Sequence, residues 1–250
     1  TPVTLYQQPG ATGPAVVIAH GFAGSRQIMQ AYSLRLAQAG YRVLAFDSEG
    51  HGRNPQPMRG DVTKIDGTTV FLVAELRRVI AAARALPGAP GVSLLGHSMA
   101  TDILIRAAEK EAEAGQPVDA VVAISMFSQA VTASEPPRLL VISGEWEGGL
   151  RGFALDYLHQ VDPGKGEGEL ASAGPVARMA VVAPHVEQVG VLYSPTAVIA
   201  ARDWLDATYA RVSTGDVSAM GVWIVVLLIG LVLAVHPLAV LQPKRADPAP

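Results

Sequence analysis

The chain has 250 residues, half of them apolar and 16% charged, and its 19 basic and 22 acidic side chains leave a net charge of −3. This composition excludes a disordered chain and offers no basic stripe to nucleic acid. Cysteine is absent, which excludes disulfides, thiolate metal sites and a cysteine nucleophile.

In chain order, short apolar runs predict buried strands at 15–19, 42–46, 92–95, 120–124, 139–142 and 179–182. Helical spacing of apolar residues predicts helices over 28–39, 69–86, 99–114 and 194–209. Strands alternating with helices build a mostly parallel sheet flanked on both faces, so the fold class is α/β, over residues 1–212. Residues 162–169, Asp-Pro-Gly-Lys-Gly-Glu-Gly-Glu, predict a polar loop. A linker follows at 213–219. From Met220 to Leu241 there are 22 consecutive residues without a charge. About 20 such residues in a helix span the ~30 Å hydrocarbon core of a bilayer, so 220–241 predicts a transmembrane helix. His236-Pro237 predicts a kink or end near one face, and 242–250 predicts a disordered tail.

The chemistry is concentrated in Gly96-His97-Ser98-Met99-Ala100. It follows the 92–95 strand and opens the 99–114 helix. A strand, sharp turn and helix in this order hold a serine in a strained backbone conformation with its hydroxyl raised above the sheet. Residues two before and two after the serine must be small, because their backbones nearly touch; Gly96 and Ala100 meet that need. The helix behind Ser98 directs backbone N–H groups toward developing negative charge.

Three further motifs stand in the matching order. His20-Gly21-Phe22 follows the first strong strand, Asp47-Ser48-Glu49-Gly50-His51-Gly52-Arg53-Asn54 follows the second, and Gly144-Glu145-Trp146-Glu147 follows the 139–142 strand. With these motifs the chain resembles the α/β-hydrolase superfamily over about residues 3–211. The D-x-x-G-H-G-x-S turn of that superfamily has Asn54 here in place of serine. The resemblance implies Ser98 as nucleophile and the backbone N–H groups of Phe22 and Met99 as the oxyanion hole. Glu147 is implied as the acid, with Glu145 as fallback.

A serine hydroxyl needs a base. His20 and His51 belong to tight turns, His97 lies beneath the serine turn, His159 is in an insertion and His236 is in the apolar run. His185, directly after the 179–182 strand, remains as the expected base. Related sequences often carry this histidine a few residues later, where Gln188 is the alternative occupant, and glutamine cannot act as a base. Phe22, Trp146 and Met126 are the candidate pocket residues. Only residues 125–138 separate two successive strands, too few for a cap domain. The insert at 148–176, with a helix over 150–160, is the candidate to overhang the site.

The expected function is that of a serine hydrolase cleaving carboxylic esters through an acyl-enzyme intermediate. Its expected partners are a small-molecule ester and, through the C-terminal helix, a lipid bilayer. The alternatives are a hydrolase-like binding module that has lost its chemistry, and an acyltransferase using the same serine. No metal or cofactor is expected: the histidines lack ligand spacing and no phosphate-binding glycine loop occurs.

Overall fold

The computed structural model describes residues 1–213 and 220–240. The predicted linker from residue 214 onward and the tail at 242–250 lie outside the described residues. Two units are present, one ending at Val217 and one beginning at Ser218.

The first unit is built on a sheet with strand order β1-β3-β2-β4-β5-β6-β8-β7. Its inner strands are β2 (Ala15–Ala19), β3 (Arg42–Phe46), β4 (Val92–His97), β5 (Val121–Ile124), β6 (Arg138–Gly144) and β8 (Val176–Ala183). All six run parallel. They are the six predicted apolar runs, and β2 to β5 are buried along their whole length, as strands covered on both faces must be. Helices α1 (Gln30–Gln38), α2 (Val70–Arg84), α3 (Met99–Glu113) and α4 (Gly148–His159) lie in the connections between strands, and α5 (Pro195–Thr208) follows β8.

Two strands were absent from the sequence reading. Edge strands β1 (Val3–Tyr6) and β7 (Leu170–Ala173) pair antiparallel with β3 and β8. Both are four residues long with at least half their residues exposed, so neither carries an apolar run to mark it. The glycine-rich loop leads into β7, and the 148–176 insert therefore resolves into α4 and a hairpin with β8. The connection from β5 to β6 carries no helix, in accord with the absence of a cap.

The core on one face of the sheet packs Val17, Leu94 and Val121 against Leu76, Ile80 and Leu104 of α2 and α3. Close packing at the start of α3 sets the size limits around the serine turn. A Cβ on Gly96 would lie 2.9 Å from Leu104 Cδ1 and 3.2 Å from Ala100 Cβ. Ala100 thus already fills the space that a glycine there would leave open.

The second unit is described by α6 (Met220–Val240), whose helix continues through Pro237. Over Met220–Ala239 it is 20 residues long with mean hydropathy 2.6, long and apolar enough to cross a membrane. Its large apolar side chains, Trp223 and Leu233 among them, are exposed.

Overpacking of this kind costs ~1–3 kcal/mol. Gly96→Ala is therefore expected to lower the urea midpoint at unchanged slope, by about that much in unfolding free energy. An unchanged midpoint would show that α3 can shift away freely.

Candidate active site

Connections leave β2 toward β3 on one side and β4 toward β5 on the other, so the strand order reverses between these neighbours. In an open α/β sheet the crevice at the carboxyl ends of such strands is where ligands bind. Ser98 occupies it. Its backbone is at φ 52°, ψ −119°, a strained conformation for a residue with a side chain. The strain is held from both sides. The Ser98 carbonyl accepts bonds from Thr101 N (2.8 Å) and Thr101 Oγ1 (2.7 Å). The loop after β2 presses on the turn: a Cβ on Gly21 would lie 2.8 Å from His97 Nδ1 and 3.1 Å from Ser98 Cβ.

That loop is braced by buried histidines. His20 Nε2 accepts the Ser48 N–H at 3.1 Å, so its proton is on Nδ1, 2.8 Å from the Gly21 carbonyl. Burial lowers the His20 pKa, which keeps the ring neutral and this tautomer fixed. His51 packs against the His20 ring at 5.2 Å and edge-on against Phe22 at 5.6 Å. Asp47, fully buried, is paired with Arg26 and accepts the Arg26 and Arg53 N–H groups, while Asn54 ties the Asp47 carbonyl to Glu75.

The turn after β6 holds two glutamates in different states. Glu147 is buried, and its Oε2 accepts Gly144 N–H at 2.6 Å and Ser125 Oγ–H at 2.9 Å. Its Oε1 is buried with no hydrogen-bond partner. Burial raises the Glu147 pKa, the two hydrogen bonds pull it down, and the nearby Glu187 charge adds to the rise. Glu145 instead faces outward and accepts the His185 N–H at 2.7 Å, with His185 Nδ1 3.1 Å away.

His185 sits at φ 60° with its side chain 84% exposed. Among the described residues, the side chain bonded to Ser98 is that of Gln188, whose Nε2 donates to Ser98 Oγ at 2.7 Å. Elimination among the six histidines favours His185; the backbone turns between the two positions and brings the later one, Gln188, to the serine. Three contacts hold Gln188 there. Its carbonyl is 2.8 Å from His97 Nε2. Glu187 caps the N–H groups of Val189 and Gly190, each at 2.8 Å. The Val186 carbonyl lies only 2.4 Å from where a Cβ on Gly144 would be, so glycine there lets the two turns close on each other.

Ser98, Phe22, Met99, Ser125 and Gln188 line one cavity of about 560 Å³. Phe22 and Met99, whose N–H groups are the expected oxyanion donors, thus flank the serine. Of the three expected pocket residues Phe22 lines the cavity and the other two lie elsewhere. Met126 is fully buried in the core, and Trp146 is exposed outside the lining. Much of the apolar wall comes from residues the sequence does not single out, Met58, Val62, Ile65 and Leu72 before and within α2 together with Phe127, while Leu150 reaches the cavity from the insert expected to overhang it. Asp102 and Arg106 also line it. Their spacing of four and eight residues from Ser98 on one helix was the available signal. Among the described residues no group of His, Asp and Glu is placed to hold a metal ion.

A family model described as "alpha/beta hydrolase fold" matches residues 14–160. Two solved structures agree on the fold. Est1E from Butyrivibrio proteoclasticus, with ferulic acid bound, is 14% identical, with a TM-score of 0.62 over 84% of this chain and 96% of that one. TT1662 from Thermus thermophilus is 17% identical, with a TM-score of 0.51 over 82% and 92%. Epoxide hydrolase VrEH1 from Vigna radiata is 22% identical, with a TM-score of 0.40 over half of this chain. The match spans only 35% of that longer protein.

A carboxyl whose pKa is raised on folding costs stability wherever it is ionised, and the cost fades as pH falls into the range where it is protonated in both states. Glu147→Gln is therefore expected to raise Tm by a few degrees at pH 7. The difference should shrink as pH falls toward ~4, the ordinary glutamate range. A Tm lowered at pH 7 would contradict the raised pKa.

Proposed function

This chain belongs to the α/β-hydrolase fold family, and we propose that its Ser98 site binds small carboxylic esters and cleaves them slowly, as a serine hydrolase whose base position is filled by Gln188. The observation that carries this reading is the 2.7 Å contact from Gln188 Nε2 to Ser98 Oγ.

Ester cleavage through an acyl-enzyme needs three things at this serine. The first is an exposed hydroxyl on a rigid turn. The second is a pair of N–H donors for the tetrahedral oxyanion, here those of Phe22 and Met99. The third is an acceptor for the hydroxyl proton. Gln188 supplies a donor, and an amide nitrogen has no basic lone pair. Ser98 is thereby oriented but not deprotonated, and water must take its proton. Oxyanion stabilisation and binding alone leave about 10³–10⁴ of acceleration over water, far below a complete triad. Glu147 already stands at the turn from which a carboxylate would orient an imidazole at position 188.

A second reading keeps His185 as the base with Glu145 as its acid, and the 3.1 Å His185–Glu145 pair favours it. It requires the exposed loop to carry His185 to Ser98 when substrate binds.

The two readings predict opposite mutants. Under the first, Gln188→His is expected to raise kcat/KM on p-nitrophenyl acetate by about 10²–10⁴, the usual contribution of a positioned base. Ser98→Ala in that background should remove the gain, and His185→Ala should change nothing. Turnover that falls in Gln188→His and vanishes in His185→Ala would replace the first reading with the second.

We further propose that α6 anchors the chain to a membrane, on the strength of its length and mean hydropathy. The full chain is expected to stay in the membrane fraction after an alkaline carbonate wash. A chain ending at Ser213 should leave it. Release of the full chain would end the anchor proposal.

A further inference from the structure

Helix α3 places three polar residues on one face. Ser98 caps its N-terminus, and Asp102 and Arg106 follow at intervals of four. All three line the same cavity. Eight residues at 1.5 Å each separate the Ser98 and Arg106 backbones by about 12 Å along the helix. Long side chains on a helix lean back toward its N-terminus, so the Arg106 head group lies nearer Ser98 than its own Cα does. The Arg106 Nε bond to Asp102 Oδ2, at 2.7 Å, has that direction.

This bond leaves the two partners in different conditions. The Asp102 carboxylate is satisfied, because Oδ1 also accepts Ser128 Oγ–H at 2.6 Å. The Arg106 guanidinium keeps donors beyond that bond. Among the described residues its only hydrogen-bond partner is Asp102, through Nε, and its side chain is 22% exposed. Nη1 and Nη2 remain as donors. The same cavity is lined by the apolar Leu72, Met99, Ile103 and Phe127, beside the polar Thr68, Thr69 and Gln129.

We propose that Arg106 is a specificity-determining residue of this site and selects an acyl group that ends in a carboxylate. The assignment rests on the reading of Ser98 as the ester-binding centre and names the substrate class that centre takes. The cavity is lined by Ser98, by apolar side chains and, eight residues further along α3, by an arginine whose guanidinium is held through its Nε. A monoester of a straight-chain dicarboxylic acid fits all three. Its ester carbonyl meets Ser98, its methylenes cover the apolar wall, and its free carboxylate accepts from the Arg106 donors. A guanidinium already fixed by Asp102 loses little freedom on binding a planar acceptor. A simple alkyl ester buries the same methylenes but offers the guanidinium no acceptor in exchange for the water it displaces.

The test is equilibrium binding to the full wild-type chain in detergent, which does not depend on turnover. The probes are monomethyl suberate and its uncharged counterpart methyl octanoate, with monomethyl succinate as a chain too short to reach. Monomethyl suberate is expected to bind about 10–100-fold more tightly than methyl octanoate, the range of a charge-assisted contact. Monomethyl succinate should show no such advantage. Arg106→Leu should abolish the preference, and Arg106→Lys, which keeps the charge without the fork, should retain part of it. Equal binding of suberate and octanoate esters to wild type would overturn the proposal whether or not the variants fold. So would a preference undiminished in a folded Arg106→Leu. Cleavage of methyl octanoate by Gln188→His together with equal binding would overturn the Arg106 assignment alone. Failure of Gln188→His to cleave any ester would instead count against the reading of Ser98.

Discussion

The site depends on one strained residue. Ser98 holds a backbone conformation that side chains disfavour, and every neighbour that lets it do so is small or fixed. Gly96 and Ala100 permit α3 to start directly above β4. Gly21 permits the loop after β2 to close on the serine turn. The Thr101 hydroxyl and N–H hold the Ser98 carbonyl. The cost of the strain is met by the packing of α3 against the sheet, and what it secures is a hydroxyl raised into the crevice at the strand-order reversal.

Around that hydroxyl the electrostatics differ from those of a proton-relay site. A relay needs a group that accepts a proton and a carboxylate that stabilises the resulting cation. Ser98 is bonded to a neutral amide that donates. At the turn after β6 stands Glu147, whose pKa is raised by burial, with one oxygen lacking any partner. No cation is held against that carboxylate among the described residues. An imidazolium at position 188 is the partner such a buried carboxylate would stabilise. The neighbouring His97 is itself buried, and burial lowers its pKa. It serves as a strut, with its Nε2–H on the Gln188 carbonyl and its ring against the Gly21 loop.

Much of the fold was legible because buried parallel strands announce themselves as uninterrupted apolar runs. All six inner strands were read in this way, and the four helices expected between them in the first unit are present with ends shifted by a few residues. The edge strands β1 and β7 were not legible. An edge strand buries half its side chains at most, so it leaves neither a run nor a clear alternation over four residues. The serine turn was legible because strand, glycine, serine and helix start are local. The pocket was less so. Met126 and Trp146 are close to functional residues in sequence, yet they face the core and solvent. The wall they were expected to form comes from residues 58–72 and from α3.

What the amino-acid order determined by itself was whatever depends on local geometry. This includes the inner strands, the start of α3, the turn that lifts Ser98, and a stretch long and apolar enough to cross a membrane. What only the tertiary structure decided was which side chain on the loop after β8 reaches Ser98. His185 and Gln188 are three residues apart, and composition treats either as a candidate. The left-handed backbone at His185, the Glu145 carboxylate outside and the Gly144 approach inside fix the path of that loop. Those constraints come from residues about 40 positions away in the chain, and no local pattern records them.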